Sequence, residues 1–175
     1  MANFPRLDEY MSRPAPEQAA GGIISSLVDD WLDDYCSKWP SKDIIETSVG
    51  DTHYLFDVGL ERLIAAWMIS AGRDSHERDK SRMAGFPKHE DRELYHRGHA
   101  IPHRLGGGTD INLVLQLGSI NIGAFRRLER EAQNTPGALY FTYWRYDDNA
   151  SQVPSGVEQG LIQPGRPANI VSHAN

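Results

Sequence analysis

Apolar residues recur at helical spacing soon after the chain begins. Ile23, Ile24, Leu27, Trp31, Leu32 and Tyr35 share one side, and Asp29, Asp30, Asp33 and Asp34 take the other. The pattern predicts an amphipathic helix that opens at Gly21-Gly22 and closes at Trp39-Pro40, because the residue before a proline disfavours helix. A second helix is expected from Asp57 to Ala71, where Val58, Leu60, Leu63, Ile64, Trp67 and Met68 are apolar. Both read as supports of the core. Residues 1–19 carry three prolines and little periodicity, which reads as a loose leader. From Gly72 to Asp91 the chain is strongly charged, and a long loop and a frayed helix ending at Gly85-Phe86-Pro87 are both open.

Beyond that segment the period changes. Leu94 to Ile101 alternates as a short strand, and Pro102 with Gly106-Gly107-Gly108 forces a turn. Asn112 to Leu117 reads as a second strand. Ser119 stands where an N-cap belongs, and Ile120 to Gln133 reads as a helix ended by Asn134-Thr135-Pro136-Gly137. Ala138 to Tyr146 is a strand that Asp147-Asp148-Asn149 turns into a return strand at Val157 to Ile162, a hairpin. The chain after Pro164 reads as a frayed tail. The expected division is a leader (1–20), a helical support of the same domain (21–71), a core with its C-terminal hairpin (72–165) and a tail (166–175). The class is α+β, an antiparallel sheet with additional N-terminal helices.

Size and composition narrow the function classes. At 175 residues the chain is long enough to bury one core. The longest apolar run, Leu63 to Ile69, is too short to span a bilayer, so no membrane role is expected. Cys36 is the single cysteine and reads as a small buried hydrophobe; an internal disulfide and a cysteine zinc cage are excluded. The opening Met1-Ala-Asn-Phe-Pro-Arg6 lacks the basic and apolar regions of a secretory signal, so the expectation is a cytoplasmic protein or one delivered into a target cell by a secretion system.

Charge is uneven. Residues 1–61 hold 4 Lys/Arg against 12 Asp/Glu, whereas residues 62–175 hold 14 against 12. Within 92–130 six arginines (92, 97, 104, 126, 127 and 130) face Glu93, Asp110 and Glu129. A polyanion would therefore meet the second half. The acidic first half reads as a solvated face; shielding the basic groove, or pairing two protomers, is its functional alternative.

The chemistry-bearing residues crowd into the same stretch. His99 follows Arg97-Gly98 at a strand end; imidazole is the natural general base near neutral pH, and a preceding glycine lets a substrate backbone approach. Asn121 lies in the first turn of the next helix, and its amide oxygen is a hard, neutral donor suited to a magnesium-like ion. Glu129, eight positions on, falls roughly on the face of Asn121 and Phe125. Arg126, Arg127 and Arg130 flank it, where guanidinium groups clamp phosphates. Each residue also has a plain structural reading: a hydrogen-bonded histidine, a helix cap, a solvated arginine face.

The order of these blocks, Arg97-Gly98-His99, then Asn112-Leu113 with Gln116, then Asn121 with Gly123-Ala124-Phe125 and Leu128-Glu129, resembles the DNA/RNA non-specific endonucleases of the ββα-metal (His-Me finger) superfamily, in particular bacterial toxin-type nuclease domains. The resemblance implies a ββα-metal core and a metal-dependent, sequence-non-specific hydrolysis of phosphodiesters in DNA, with RNA as a second substrate. His99 would be the general base and Asn121 the direct ligand of Mg2+, with Mn2+ or another divalent ion as a substitute. Glu129 and Asn112 would act on the ion through water, and Arg97 would lie near the phosphate. An upstream arginine would stabilise the reacting phosphorus; Arg82 is the choice, with Arg73 and Arg78 as rivals. His103 would line the groove beside Arg126, Arg127 and Arg130. A toxin or effector of this type would have an acidic immunity protein as partner. Two positions depart from the family pattern: His96 replaces an aspartate, and Ile122 follows Asn121 where a polar or basic residue is common. The alternative is a catalytically silent nucleic-acid- or protein-binding module on the same scaffold, for which His96 is the main support.

Overall fold

The computed structural model describes residues 3–40, 43–74 and 94–175; of the charged segment 72–91, only 72–74 are among them. The amphipathic pattern at 21–39 does form a helix. After a short helix α1 (Pro5–Met11), the long helix α2 (Ala20–Lys38) buries Ile23, Leu27, Trp31 and Tyr35. Three strands follow, β1 (Ile44–Val49), β2 (Thr52–Asp57) and β3 (Arg62–Ile69). The short pair β4 (Tyr95–His99) and β5 (Leu113–Leu117) comes next, then a π-helical turn (Ile120–Ala124) running into helix α3 (Phe125–Gln133). Strands β6 (Leu139–Arg145), β7 (Gly156–Ile162) and β8 (Asn169–Ala174) complete the chain.

Six strands make one antiparallel sheet in the order β1-β2-β3-β6-β7-β8, and β4 and β5 pair separately. The ββα unit, β4-β5-α3, is thus inserted between two strands that are neighbours in the sheet, β3 and β6. The two faces of the sheet carry different layers. Trp31 of α2 packs on Trp67, Phe141 and Tyr143, at ring separations of 5.6, 5.2 and 6.1 Å. Phe125 of α3 packs on Trp144 and His173, at 6.1 and 5.4 Å. Tyr143 and Trp144 are consecutive, so their side chains point to opposite faces, and α2 and α3 lie on opposite sides of the sheet.

Five expectations are corrected. The helix expected over 57–71 is strand β3. Its residues Leu63 to Met68 are all buried, because α2 covers one face and the ββα unit the other. A strand with no solvent face reads as a continuous apolar run, which periodicity cannot tell from a buried helix. The leader is not loose: α1 seats Leu7 in the core with no exposed surface. Its free N-terminal N–H groups are met by Asp30 of α2, whose carboxylate accepts from the Arg6 and Leu7 amides at 3.1–3.2 Å. Asp30, assigned to the polar face by its spacing, is accordingly buried. The tail is strand β8, and beyond it Asn175 reaches back to β5, accepting from the Leu117 N–H at 2.8 Å and donating to the Leu115 carbonyl at 3.0 Å. Ser119 is already helical and makes no side-chain cap, so the expected cap at the start of α3 is not formed.

Cys36 is half-buried against the core, and burial pushes its thiol above the usual range. Among the described residues no helix is long and apolar enough to cross a membrane.

Asp30 holds α1 to the domain through hydrogen bonds that its carboxylate accepts from the backbone. Asp30→Ala is expected to cost about 1–2 kcal/mol, the typical value of a helix cap. Urea denaturation reads the loss, and limited proteolysis should then cut first within Pro5–Met11.

Candidate active site

Strand β4 sorts the Arg-Gly-His block by alternation. Arg97 and His99 point to one side and line a polar pocket of about 190 Å³. His96 and Gly98 point to the other. Gly98 is buried, and what fills the space before it is Gln116 of β5: a Cβ at 98 would stand 2.8 Å from the Gln116 Cβ and press on its Oε1. The expectation that Gly98 admits a substrate backbone is therefore corrected; its missing side chain admits a neighbouring strand. His96 lies over Gly118, where a Cβ would stand 2.8 Å from the imidazole. The departure from aspartate thus falls on the side of β4 away from the pocket.

The second block, beginning at Asn112, holds the loop that follows His99. Asn112 is fully buried; its Oδ1 accepts from the Ile101 N–H at 2.8 Å, and its Nδ2 donates to the carbonyls of Ile101 and Gly108 at 2.8 and 2.9 Å. Both ends of the amide are committed and no surface is left for a water, so Asn112 is not the outer metal support that the resemblance implies. It fixes the segment that brings Pro102, His103 and Arg104 to the pocket.

The third block depends on the π-helical turn. In an uninterrupted α-helix Asn121 would stack on Phe125, four residues on, and Phe125 is wholly buried against the sheet. In the π-turn the Phe125 N–H reaches the Ile120 carbonyl, five residues back, which inserts one extra residue. Asn121 then lines up with Arg126 instead. The pocket face becomes Asn121, Arg126, Glu129 and Gln133, while Phe125, Leu128 and Ala132 form the core face. Asn121 and Glu129 thus share the pocket face, and Phe125, expected beside them, does not.

Six residues named from the sequence therefore meet in one pocket: Arg97, His99, His103, Asn121, Arg126 and Glu129. Arg127 and Arg130 are exposed on α3 and do not line it. Arg73 lines a different cleft, with Asp51, Thr52 and Asp74. Arg78 and Arg82 lie outside the described residues. Arg104 and Gln133 are pocket residues that the sequence reading missed; the four-residue step from Glu129 was the signal for Gln133. A larger cleft of about 440 Å³, lined by Phe56, Leu63, Leu113 and Tyr146 among others, shares no residue with this pocket and is mainly apolar. Volume does not decide between the two; the convergence of imidazole, guanidinium, amide and carboxylate groups does.

Three guanidinium groups surround a single carboxylate, Glu129, so the pocket favours an anion. Among the described residues no three His, Cys, Asp or Glu side chains converge to hold a metal. A metal here would meet the oxygen donors Asn121 and Glu129, a hard set that fits a magnesium-like ion completed by water.

Comparison with known proteins bears on the family and the fold. The profile of the DNA/RNA non-specific endonucleases matches residues 44–157. The fold is similar to crystal structures of NucA from Streptococcus agalactiae. The form with no metal bound has a TM-score of 0.53 and 16% identity over 83% of this chain and 88% of that one. The form with magnesium ion bound has a TM-score of 0.53 and 14% identity over 77% and 85%. No curated protein matches the chain significantly.

Because Gln116 is itself buried and has no room to retreat, Gly98→Ala is expected to cost roughly 1–3 kcal/mol, the range for overpacking a core. The double variant Gly98→Ala/Gln116→Ala should recover part of that loss. A denaturation cycle over the four proteins measures the coupling; additive losses would mean that the two residues do not press on each other.

Proposed function

Because the chain belongs to the DNA/RNA non-specific endonuclease family, we propose that it is a metal-dependent nuclease that hydrolyses phosphodiester bonds of DNA, and of RNA, with His99 as general base and Asn121 as the direct ligand of a magnesium ion. The observation that carries this reading is the polar pocket into which two stretches of the chain, 97–104 and 121–133, bring His99, Asn121, Glu129 and three arginines.

The chain's own groups supply most of the reaction. His99 takes a proton from a water molecule, and the oxygen of that water attacks phosphorus in line with the departing 3′-oxygen. The bond from phosphorus to the 3′-oxygen breaks as the new one forms. Arg97, Arg104 and Arg126 hold the phosphate, whose charge they match and whose oxygens their planar forks can grip in pairs. Asn121 would ligate the ion directly, and Glu129 would stand behind it through water. When bound, the ion acts as a Lewis acid that stabilises charge on the reacting phosphate and the leaving oxygen. The magnesium held by the NucA structure supports the choice of ion. Contacts directed at phosphate carry no sequence information, so cleavage is expected to be non-specific.

The silent-module alternative rested on His96, and His96 lies over Gly118 on the side of β4 away from the pocket. No observation now favours that reading.

Degradation of supercoiled plasmid and of RNA, with magnesium or with chelator, tests the assignment. His99→Ala is expected to lower the rate about 100- to 10,000-fold, the usual contribution of a general base, and Asn121→Ala or chelator should abolish the metal-dependent part. A folded wild-type protein that degrades neither substrate with any divalent ion would overturn it.

A further inference from the structure

Beneath α3 the sheet carries a polar pair that the reaction does not use. Gln159 on β7 and Tyr140 on β6 are fully buried diagonal neighbours on the same face, since Tyr140 pairs with Leu161. The Gln159 Nε2 donates to the Tyr140 hydroxyl at 2.7 Å and to the Phe125 carbonyl at 3.0 Å. Among the described residues its buried Oε1 has no hydrogen-bond partner. A glutamine with half its amide unused is a poor way to fill an apolar layer, where leucine would serve better. What it has instead is a directed hold on one backbone carbonyl.

That carbonyl belongs to the residue on which the register of the site turns. The N–H of Phe125 closes the π-helical turn onto Ile120, and its carbonyl is tied to the sheet by Gln159. Asn121 lies within the turn so closed, and Glu129 lies one turn further along α3. Tyr140 completes the arrangement. It accepts its hydrogen bond from Gln159, which leaves its own proton for another group.

We propose that Gln159 and Tyr140 are positioning residues for the metal site, Gln159 by pinning the Phe125 carbonyl so that the π-turn presents Asn121 to the pocket, and Tyr140 by holding Gln159. The metal part of this assignment rests on the reading under Proposed function; the pin itself does not.

The test uses the whole chain with Gln159→Leu, which keeps bulk and removes the amide, and Tyr140→Phe, which removes only the hydroxyl. Magnesium titration calorimetry on each should show affinity about tenfold weaker than wild type, the low end for groups that orient a metal ligand. The kcat for plasmid should fall by a similar factor while KM holds. Amide exchange over residues 119–129 should speed up tenfold or more, with β6 and β7 unchanged. Wild-type magnesium affinity together with wild-type exchange in both variants would overturn the proposal. So would faster exchange spread evenly over all strands with affinity intact, which marks a packing role. If the wild-type protein itself takes up no magnesium, the metal reading fails, and the exchange arm alone decides the pin. Should Gln159→Leu not fold, Tyr140→Phe carries the same readouts.

Discussion

The burial of Phe125 is the constraint on which the site depends. Its ring is wholly enclosed, packed against Trp144 and His173 on the sheet, and its backbone is tied on both sides, N–H to Ile120 and carbonyl to Gln159. The far end of α3 is fixed as well, by the buried Ser70 at the end of β3, whose hydroxyl donates to the Ala132 carbonyl at 2.7 Å. A nine-residue helix is too short to be stable alone, so its orientation is set by these anchors and not by its own propensity. Once Phe125 is seated, Arg126, Glu129 and Gln133 have one direction available, and the π-turn adds Asn121 to that direction.

The strand pair opposite α3 solves a related problem. A strand that lines a pocket must present some side chains to it while its other face is held firmly, and alternation gives both to five residues. Arg97 and His99 face the pocket; Gly98 lets Gln116 close the back. Asn112 then stitches the following loop with three hydrogen bonds, and Asn175 clips the end of β5 to the remainder of the fold. Several residues of the motif are therefore scaffolding. A motif records which residues occur together, not which of them touch the substrate, and here burial separates the two groups: Asn112 and Gln116 have no exposed surface, whereas His99, Asn121 and Glu129 have some.

What was legible in the sequence follows from the same division. Helix α2, the pair β4 and β5, and the hairpin of β6 and β7 were read correctly because each keeps one polar face or sits between clear turn residues. Strand β3 was misread because both its faces are covered, and α1 and β8 were missed because their order comes from distant partners, Asp30 for the one and β7 for the other. At the site, chemical type and spacing brought out six pocket residues. The π-turn left no signal in the composition, and Arg104 reaches the pocket only because Asn112 folds the loop that carries it.

The placement of charge follows from the topology. The net charge of −6 sits poorly with a polyanion partner until the layers are considered. The acidic helix α2 and the arginine-lined pocket lie on opposite faces of the sheet, separated by two packing layers of about 10 Å each. That distance exceeds the screening length of about 8 Å at physiological salt, so the acids do not cancel the field at the pocket. The acids of α2 are also partly structural: Asp30 caps α1, and Asp34 accepts from the Tyr143 hydroxyl and from Lys38. Shielding of the basic groove by α1 and α2, one role open to them from the sequence, is excluded by their position across the sheet. The fold thus sets like charge and opposite charge for a polyanion on different faces of one sheet, acids on the α2 side and the arginines of the pocket on the α3 side.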